Sequence, residues 1–512
     1  MRKTVFIKNA LILTASSLIL RFAGIIFKIW IAKEVGSEGI GLYQLIFSVY
    51  VLASTFAQSG ISTAVTRLVA EEMALGERKS ARRVMIRACE LTLAVSLVSA
   101  ILLMSFSDII ALKLIGDTRA SISLKILPLS LPFLGITSCF RGYFIARRKV
   151  TPNASSQIFE QAVRIIICLY LVKKYVKKGL KYACAAIMAG DVFSEILACL
   201  LLGLLFFADK KCLKSAKSEG TPNSGILKKI LHIALPITSG RYLNSLLRTA
   251  ENILVPKNLK RYPLAGGSAL SQFGMIKGMA LPILFFPSAI LNAVSTLLIP
   301  EMSEASALGR SQVVKYSVRN ILKLTALTSF IFAAIFWCGG EKIGYLIYKE
   351  TEVGRLIKLL SPLVPLMYLD SISDGILKGL DQQGFTFKTA VSDSTIRLCL
   401  IPLLLPIKGL EGFILIMYFS NMLTCFLNVS RLLKVSGARL SILKEILFPI
   451  ALAVSICVIF DKIISCFRVS DSLVYIILLG GFSALCYFGI LFASKTVSRE
   501  MLFSIKGKSK SM

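Results

Sequence analysis

Apolar stretches, each near the ~20 residues that cross a hydrocarbon core, alternate along the chain with short polar connections, predicting about fourteen membrane-spanning helices. The first six fall at about 6–33, 40–72, 84–106, 121–146, 151–172 and 182–208. A linker at 209–229, rich in Lys, Ser and Gly, separates them from six more, at about 230–256, 268–299, 316–338, 356–380, 386–407 and 409–433. Two further spans follow at about 443–466 and 472–495. The expected organisation is therefore an N-lobe (1–208), a cytoplasmic linker (209–229), a C-lobe (230–433), a thirteenth and fourteenth span (434–495) and a basic cytoplasmic tail (496–512). The fold class is all-α, a polytopic membrane protein. Pro128 and Pro132 predict a bend in the fourth span, because proline removes a helix donor and clashes with the preceding turn. Thr151 as a cap, with Pro152 at the first helical position, is a strong start for the fifth.

Polar residues inside these spans are the informative exceptions, since such groups are costly unless they face a protein interior or a watery cavity. Glu160 lies one turn before Arg164, and Gln157, Gln161 and Arg164 share a face. Gly142, Glu160 and Arg164 recur at a constant offset as Gly375, Asp393 and Arg397, so the chain reads as two copies of one membrane unit. The first span of each half strengthens the repeat: Arg21 and Lys28 have the same separation as Arg241 and Arg248. Asn244 and Glu251 extend the latter stripe, while the second span carries Gln44 and Gln58. Asp374 precedes Lys378 by one turn, the favourable order for an acid and a base. Asp191, Glu195, Glu251 and Asp370 are candidates for ion coupling. The pairs Glu160 with Arg164, Asp374 with Lys378 and Asp393 with Arg397 are expected to hold each lobe together or to form a gate.

Composition agrees with a membrane protein: the 512 residues are 55% hydrophobic, with a mean hydropathy of +0.74. The net charge of +32 comes from residues in short loops, at helix ends and singly within helices. Topology and anionic membrane lipid explain that excess without nucleic acid. Inner loops carry more Lys and Arg than outer ones when both termini are cytoplasmic, which sets the expected orientation. The basic loops near Lys177 and Lys257 run against this trend. The 12 cysteines lie mostly within apolar spans and form no Cys-x-x-Cys pair, so they are read as small packing residues. One histidine, His232, is too few for a His-pair metal site, and no metal or cofactor is expected.

Catalytic motifs are missing. Gly507-Lys508-Ser509 resembles the end of a phosphate-binding loop, but Leu502 stands where that motif needs glycine. Paired carboxylates do occur within spans, yet glycosidase-like chemistry needs a sugar cleft in a solvent-facing domain, and no loop is large enough for a separate catalytic domain. The repeat, the bends and buried charges of both signs suit transport better than enzyme chemistry.

Several pieces together carry a family likeness: Arg141-Gly142-Tyr143-Phe144, Thr151-Pro152, Ser156-Gln157, Glu160-Gln161 with Arg164, and Leu235-Pro236-Ile237-Thr238 with Arg241. Phe286-Pro287, Pro300-Glu301, Tyr368-Leu369-Asp370 and Lys378-Gly379-Leu380 extend it. On these the chain resembles the stage V sporulation protein B family. That family lies in the polysaccharide and lipid-linked oligosaccharide branch of the exporter superfamily that includes multidrug and toxin extrusion proteins and lipid II flippases. The resemblance implies two six-helix lobes around a central cavity that opens alternately to each side, with two C-terminal helices forming a groove for a lipid tail. It also implies a flippase for a peptidoglycan or polysaccharide precursor, used in spore cortex or envelope formation. A polyprenyl-diphosphate-linked sugar is then the expected substrate, because its anionic head cannot cross hydrocarbon unpaired. Arg21, Lys28, Arg241 and Arg248 are expected to neutralise the diphosphate. Gln44, Gln58, Gln157, Gln161 and Asn244 are expected to meet the sugars. Lipid II flippases usually carry an arginine in the eighth span, where this chain offers only Lys277 and Pro282. The alternatives are a cation-coupled multidrug antiporter, which needs an acidic cavity, and a non-transporting scaffold that recruits cell-wall synthesis enzymes.

Overall fold

A computed structural model describes residues 2–58, 60–209, 225–263, 267–439, 441, 443–466 and 473–494. The expected linker and basic tail lie largely outside these residues. Every regular element among them is helical. Contacts divide the chain into two compact units, 1–274 and 275–512, so the helices that follow the linker up to residue 274 group with the first unit.

The first unit runs α1 (Arg2–Gln58), α2 (Ile61–Ala74), α3 (Arg78–Ser105), α4 (Ser107–Ile109), α5 (Ser121–Ile126), α6 (Leu131–Ala146), α7 (Thr151–Tyr175), α8 (Leu180–Asp209), α9 (Ile226–Leu259) and α10 (Ala269–Gly274). Gly36 breaks α1 with a φ of 71°, a left-handed conformation that glycine adopts without penalty. The expected bend at Pro128 and Pro132 is a 3₁₀ turn, Leu127–Ser130, between α5 and α6. Thr151 is the first residue of α7 rather than its cap, and Pro152 still sits in the opening turn, where its missing N–H costs nothing.

Side-chain size is sorted as a lipid environment requires. On α8 the buried positions include Ala183, Cys184, Ala186 and Gly190, whereas Phe193, Leu200, Leu204 and Phe207 point outward. At Gly190 an added Cβ would stand 2.2 Å from the Cys168 sulfur, so α7 and α8 approach through small residues. Among the described residues all cysteines are free thiols, as small packing groups should be.

The second unit contains α11 (Leu281–Phe285), α12 (Ser288–Ala307), α13 (Ser311–Tyr348), α14 (Thr351–Leu360), α15 (Leu363–Gly379), α16 (Gln383–Ser436), α17 (Phe448–Cys466) and α18 (Leu473–Ala493). Its core joins Leu327, Phe330 and Ile331 of α13 to Ala453 and Cys457 of α17 and Tyr487 and Leu491 of α18. The last two spans thus dock on α13. Lys342 lies 3.9 Å from the centre of the Tyr475 ring, and the Tyr475 hydroxyl donates to Asp461 at 2.5 Å.

By length and hydropathy, the described residues hold 9 helices able to cross a membrane, or up to 10 if a bent pair counts as one span. The shortfall from the expected fourteen has identifiable causes. Two long helices each contain a glycine break, at Gly36 and Gly409, and so merge neighbouring lengths. The α9 helix combines modest hydropathy with Arg241, Arg248 and Glu251. The protein is a multi-pass membrane protein.

A cationic cavity and a buried charge cluster

The second length of α1, after Gly36, packs along α9 through hydrogen bonds that replace those lost to water. Thr249 donates to the Ser48 carbonyl at 3.0 Å, and Asn252 donates to the Ser48 hydroxyl at 2.8 Å. Near one end the backbones almost touch: a Cβ on Gly41 would lie 2.2 Å from the Leu270 carbonyl oxygen, and the Ser37 and Ser271 hydroxyls meet at 2.7 Å. Near the other, Gly60 has a φ of 79° and approaches the Ala234 carbonyl so closely that a Cβ would stand at 2.4 Å. On α6, Gly142 lets α2 close in, and Thr66 donates to its carbonyl at 3.1 Å.

Between these contacts lies a cavity of about 650 Å³. Gln44, Gln58 and Ser62 border it from α1 and α2, Ser138 and Arg141 from α6, and Arg241, Asn244, Arg248 and Asn252 from α9. Among the described residues, Arg141, Arg241 and Arg248 border this space and no Asp or Glu does, and of those that line it Phe47 and Val51 alone have side chains without a polar atom. Arg241 and Arg248 make no ion pair or hydrogen bond among the described residues, and both are exposed. Seven residues of helix separate them by about 10 Å along α9 and return to nearly the same face. Of the stripe expected on this helix, Arg241, Asn244 and Arg248 border the cavity and Glu251 does not.

Five of the nine expected substrate-binding residues, Gln44, Gln58, Arg241, Asn244 and Arg248, border this cavity. Arg21 and Lys28 do not: they sit on the first length of α1, before the Gly36 break, with exposed side chains. Gln157 and Gln161 are on α7 away from it, and Gln161 accepts from Arg164 at 3.1 Å. Lys277 belongs to the second unit, 5.8 Å from the Phe413 ring centre.

The expected ion pairs form. Arg164 meets Glu160 at 2.8 Å, Lys378 meets Asp374 at 2.5 Å, and Arg397 meets Asp393 at 3.1 Å. Each member of the Glu160 pair also reaches a neighbouring helix. Glu160 is held at 2.7 Å by Arg141 of α6, and Arg164 lies 2.6 Å from Asp191 of α8. Glu195, one turn beyond Asp191, is 4% exposed. In the second unit Ser420 donates to Asp393 at 2.5 Å, and Asn428 donates to Asp370 at 2.8 Å. Glu251 is buried on α9 and engaged with a partner.

Arg141 is the residue that the sequence left without a role. It belongs to the stretch that carries the family likeness, yet only packing reveals that it faces the cavity and Glu160 together. Its signal was a lone arginine in an otherwise apolar helix. Outside the spans, Arg119 ties Asp117 to Glu38 of α1, with contacts of 2.7 Å to each. Burial works against the Asp117 charge, but hydrogen bonds from Arg119 outweigh it and hold the carboxyl below the usual carboxylate range.

Comparison with known proteins agrees with this architecture. The chain is 28% identical to stage V sporulation protein B of Bacillus subtilis (strain 168) over 440 residues, covering 85% of each chain. It is 22% identical to the lipid II flippase MurJ of the same organism over 455 residues, covering 83% of this chain and 82% of that one. Among solved structures, the inward closed conformation of lipid II flippase MurJ superposes with a TM-score of 0.70 at 15% identity, over 95% of this chain and all of that one. The fold is thus that of a helical membrane transporter. The sequence profile described as polysaccharide biosynthesis protein matches residues 6–306, more than half of the chain, and the protein belongs to that family.

Proposed function

We propose that this protein is a flippase that moves a lipid-linked cell-wall precursor across the cytoplasmic membrane by alternating access. The carrying observation is the cavity bordered by Arg141, Arg241 and Arg248 and, among the described residues, by no Asp or Glu. A diphosphate headgroup loses its hydration on entering a membrane and requires compensating charge. Arginine supplies it in forked, charge-assisted hydrogen bonds. Gln44, Gln58, Asn244 and Asn252 offer donors and acceptors for sugar hydroxyls, while the polyprenyl tail stays in the bilayer. Likeness to stage V sporulation protein B and to a lipid II flippase supports a peptidoglycan-type precursor and a role in spore envelope formation. The excess of inner-loop Lys and Arg supports cytoplasmic termini and contact with anionic lipid. The same cavity disfavours a multidrug antiporter for cationic drugs, which needs acidic lining.

The test is translocation of a purified polyprenyl-diphosphate-linked disaccharide in vesicles containing the protein. Transport by the wild type, with loss in Arg241→Ala at unchanged thermal stability, supports the proposal. Equal transport by Arg241→Ala removes this arginine from the headgroup site. Failure of the wild type to move any such lipid favours the scaffold reading.

A further inference from the structure

A second, smaller recess of about 240 Å³ opens where the last turns of α9 meet a π-helical turn, Ile110–Ile115, that follows α4. Gly116 ends that turn with a φ of 74°, a left-handed conformation open to glycine, and reverses the chain. Its carbonyl accepts from the Lys260 ammonium at 3.5 Å. Leu45, Leu112, Leu114 and Leu270 give the recess apolar walls, and Lys113, Lys257 and Lys260 line it with exposed side chains. Asp117 is the one acid among the described residues that line it, and Arg119 already engages both of its oxygens. The ammonium groups of Lys113 and Lys257 have no ion pair or hydrogen bond among the described residues. Three cations from two separate elements thus border one small space without a free counter-charge, an arrangement that repels itself until an anion enters.

Topology does not account for these lysines. With cytoplasmic termini, as proposed above, this end of the unit lies outside, where the positive-inside trend disfavours lysine. Nor does the internal repeat account for them. The offset from Arg164 to Arg397 carries Gly116 to Lys349, which likewise ends a helix in a left-handed conformation, with a φ of 60°. The same offset carries Lys113 to Leu346, so the shared backbone device needs no lysine there. The neighbouring apolar side chains narrow the choice of anion. Phe106, Ile109, Leu112 and Leu114 are between 46% and 61% exposed, which in a membrane protein is a surface for acyl chains. A recess below the ~300 Å³ of ordinary small-molecule pockets takes a phosphate group rather than a whole ligand.

We propose that this recess binds the phosphate of one anionic phospholipid, with Lys113, Lys257 and Lys260 around the headgroup and the acyl chains over Leu112 and Leu114. The bound lipid ties the turn at Ile110–Ile115 to the end of α9, two elements whose lysines otherwise repel. No residue lines both this recess and the larger cavity, and the site does not rest on the headgroup reading of that cavity.

The test is equilibrium binding of radiolabelled phosphatidylglycerol to the purified full-length protein in neutral detergent micelles, with phosphatidylcholine and inorganic phosphate as competitors. A lysine beside an anionic headgroup accounts for about fivefold in affinity, so Lys113→Gln, Lys257→Gln and Lys260→Gln combined are expected to weaken binding by about a hundredfold. Lys173→Gln, Lys174→Gln and Lys177→Gln combined remove the same charge from exposed positions that do not line the recess, and are expected to bind as the wild type does. Equal loss in both triple variants, or none in the first, overturns the site. Should the first triple variant not fold, Lys260→Gln alone is expected to lose about fivefold, and full retention there overturns the site equally. Phosphatidylcholine competing as well as phosphatidylglycerol overturns the role of charge. Inorganic phosphate displacing the lipid at equal concentration overturns the acyl contact. Displacement at lower concentration by a polyprenyl-diphosphate-linked sugar would assign the recess to the transported lipid and overturn the phospholipid. No translocation is measured, so the outcome is independent of the flippase reading.

Discussion

Arg141 and Glu160, from neighbouring helices, meet at 2.7 Å, and Arg141 also borders the cavity. Removing it affects both environments. Arg141→Ala leaves Glu160 and Asp191 with Arg164 alone, and breaking such a buried pair costs about 3–5 kcal/mol. Arg141→Lys keeps the charge but not the fork, so a smaller loss of stability with a clear loss of anion affinity is expected. Thermal unfolding in detergent combined with pyrophosphate titration distinguishes the two effects.

Arg248 differs from Arg141 in having no ionic partner among the described residues. Substituting it should therefore leave stability within about 0.5 kcal/mol of the wild type. Arg248→Glu places a carboxylate in an otherwise acid-free cavity and should abolish precursor transport in vesicles. Transport at the wild-type rate by this variant would contradict the cavity as the headgroup path.

Gly41 allows α1 to touch the backbone of α10. A Cβ there would stand 2.2 Å from the Leu270 carbonyl oxygen, with no flexible side chain to move aside. Gly41→Ala should cost about 1–3 kcal/mol by overpacking. Gly76→Ala is a control for the chain itself: its positive φ alone is strained, with no atom within 4 Å of the added carbon. Urea or thermal unfolding of both variants separates strain from collision.

Asp393 repeats, in the second unit, the acid-before-arginine spacing of Glu160. It accepts from Ser420 at 2.5 Å and from Arg397 at 3.1 Å. Asp393→Asn should destabilise by about 3 kcal/mol, since Arg397 then keeps a buried charge without its carboxylate. A midpoint equal to the wild type would show that the pair contributes nothing to holding this unit.

Asp117 provides a pH signature outside the membrane. Because its carboxyl is held below the ordinary range, its contact with Arg119 stabilises the fold above the unfolded-state value of about 3.9. That stabilisation is lost as the pH falls through the folded-state value. Asp117→Asn should therefore show less acid sensitivity between weakly and strongly acidic buffer, read from the thermal midpoint at each pH.

Helical periodicity made much of this legible beforehand. Arg241, Asn244 and Arg248 share a face because the helix repeats every 3.6 residues, whatever surrounds it. Glu160 with Arg164 and Asp393 with Arg397 are one-turn neighbours for the same reason. Arg21 and Lys28 obey that rule too, yet they do not border the cavity, because the Gly36 break gives the wall to the later length of α1. Gln161 shares a face with Arg164 and hydrogen-bonds to it instead of lining the cavity.

Taken alone, the order of residues determined the membrane class, the apolar lengths, the internal repeat and the one-turn pairings of Glu160 with Arg164, Asp374 with Lys378 and Asp393 with Arg397. These depend on local geometry and on the cost of placing polar backbone in lipid. Tertiary structure decided which stripes face a common space, that Arg141 joins Glu160 to the cavity, and that Arg164 reaches Asp191. Those relationships are distances between separate helices, set by close contacts at Gly41, Gly142 and Gly190, and the period of a single helix carries no information about them.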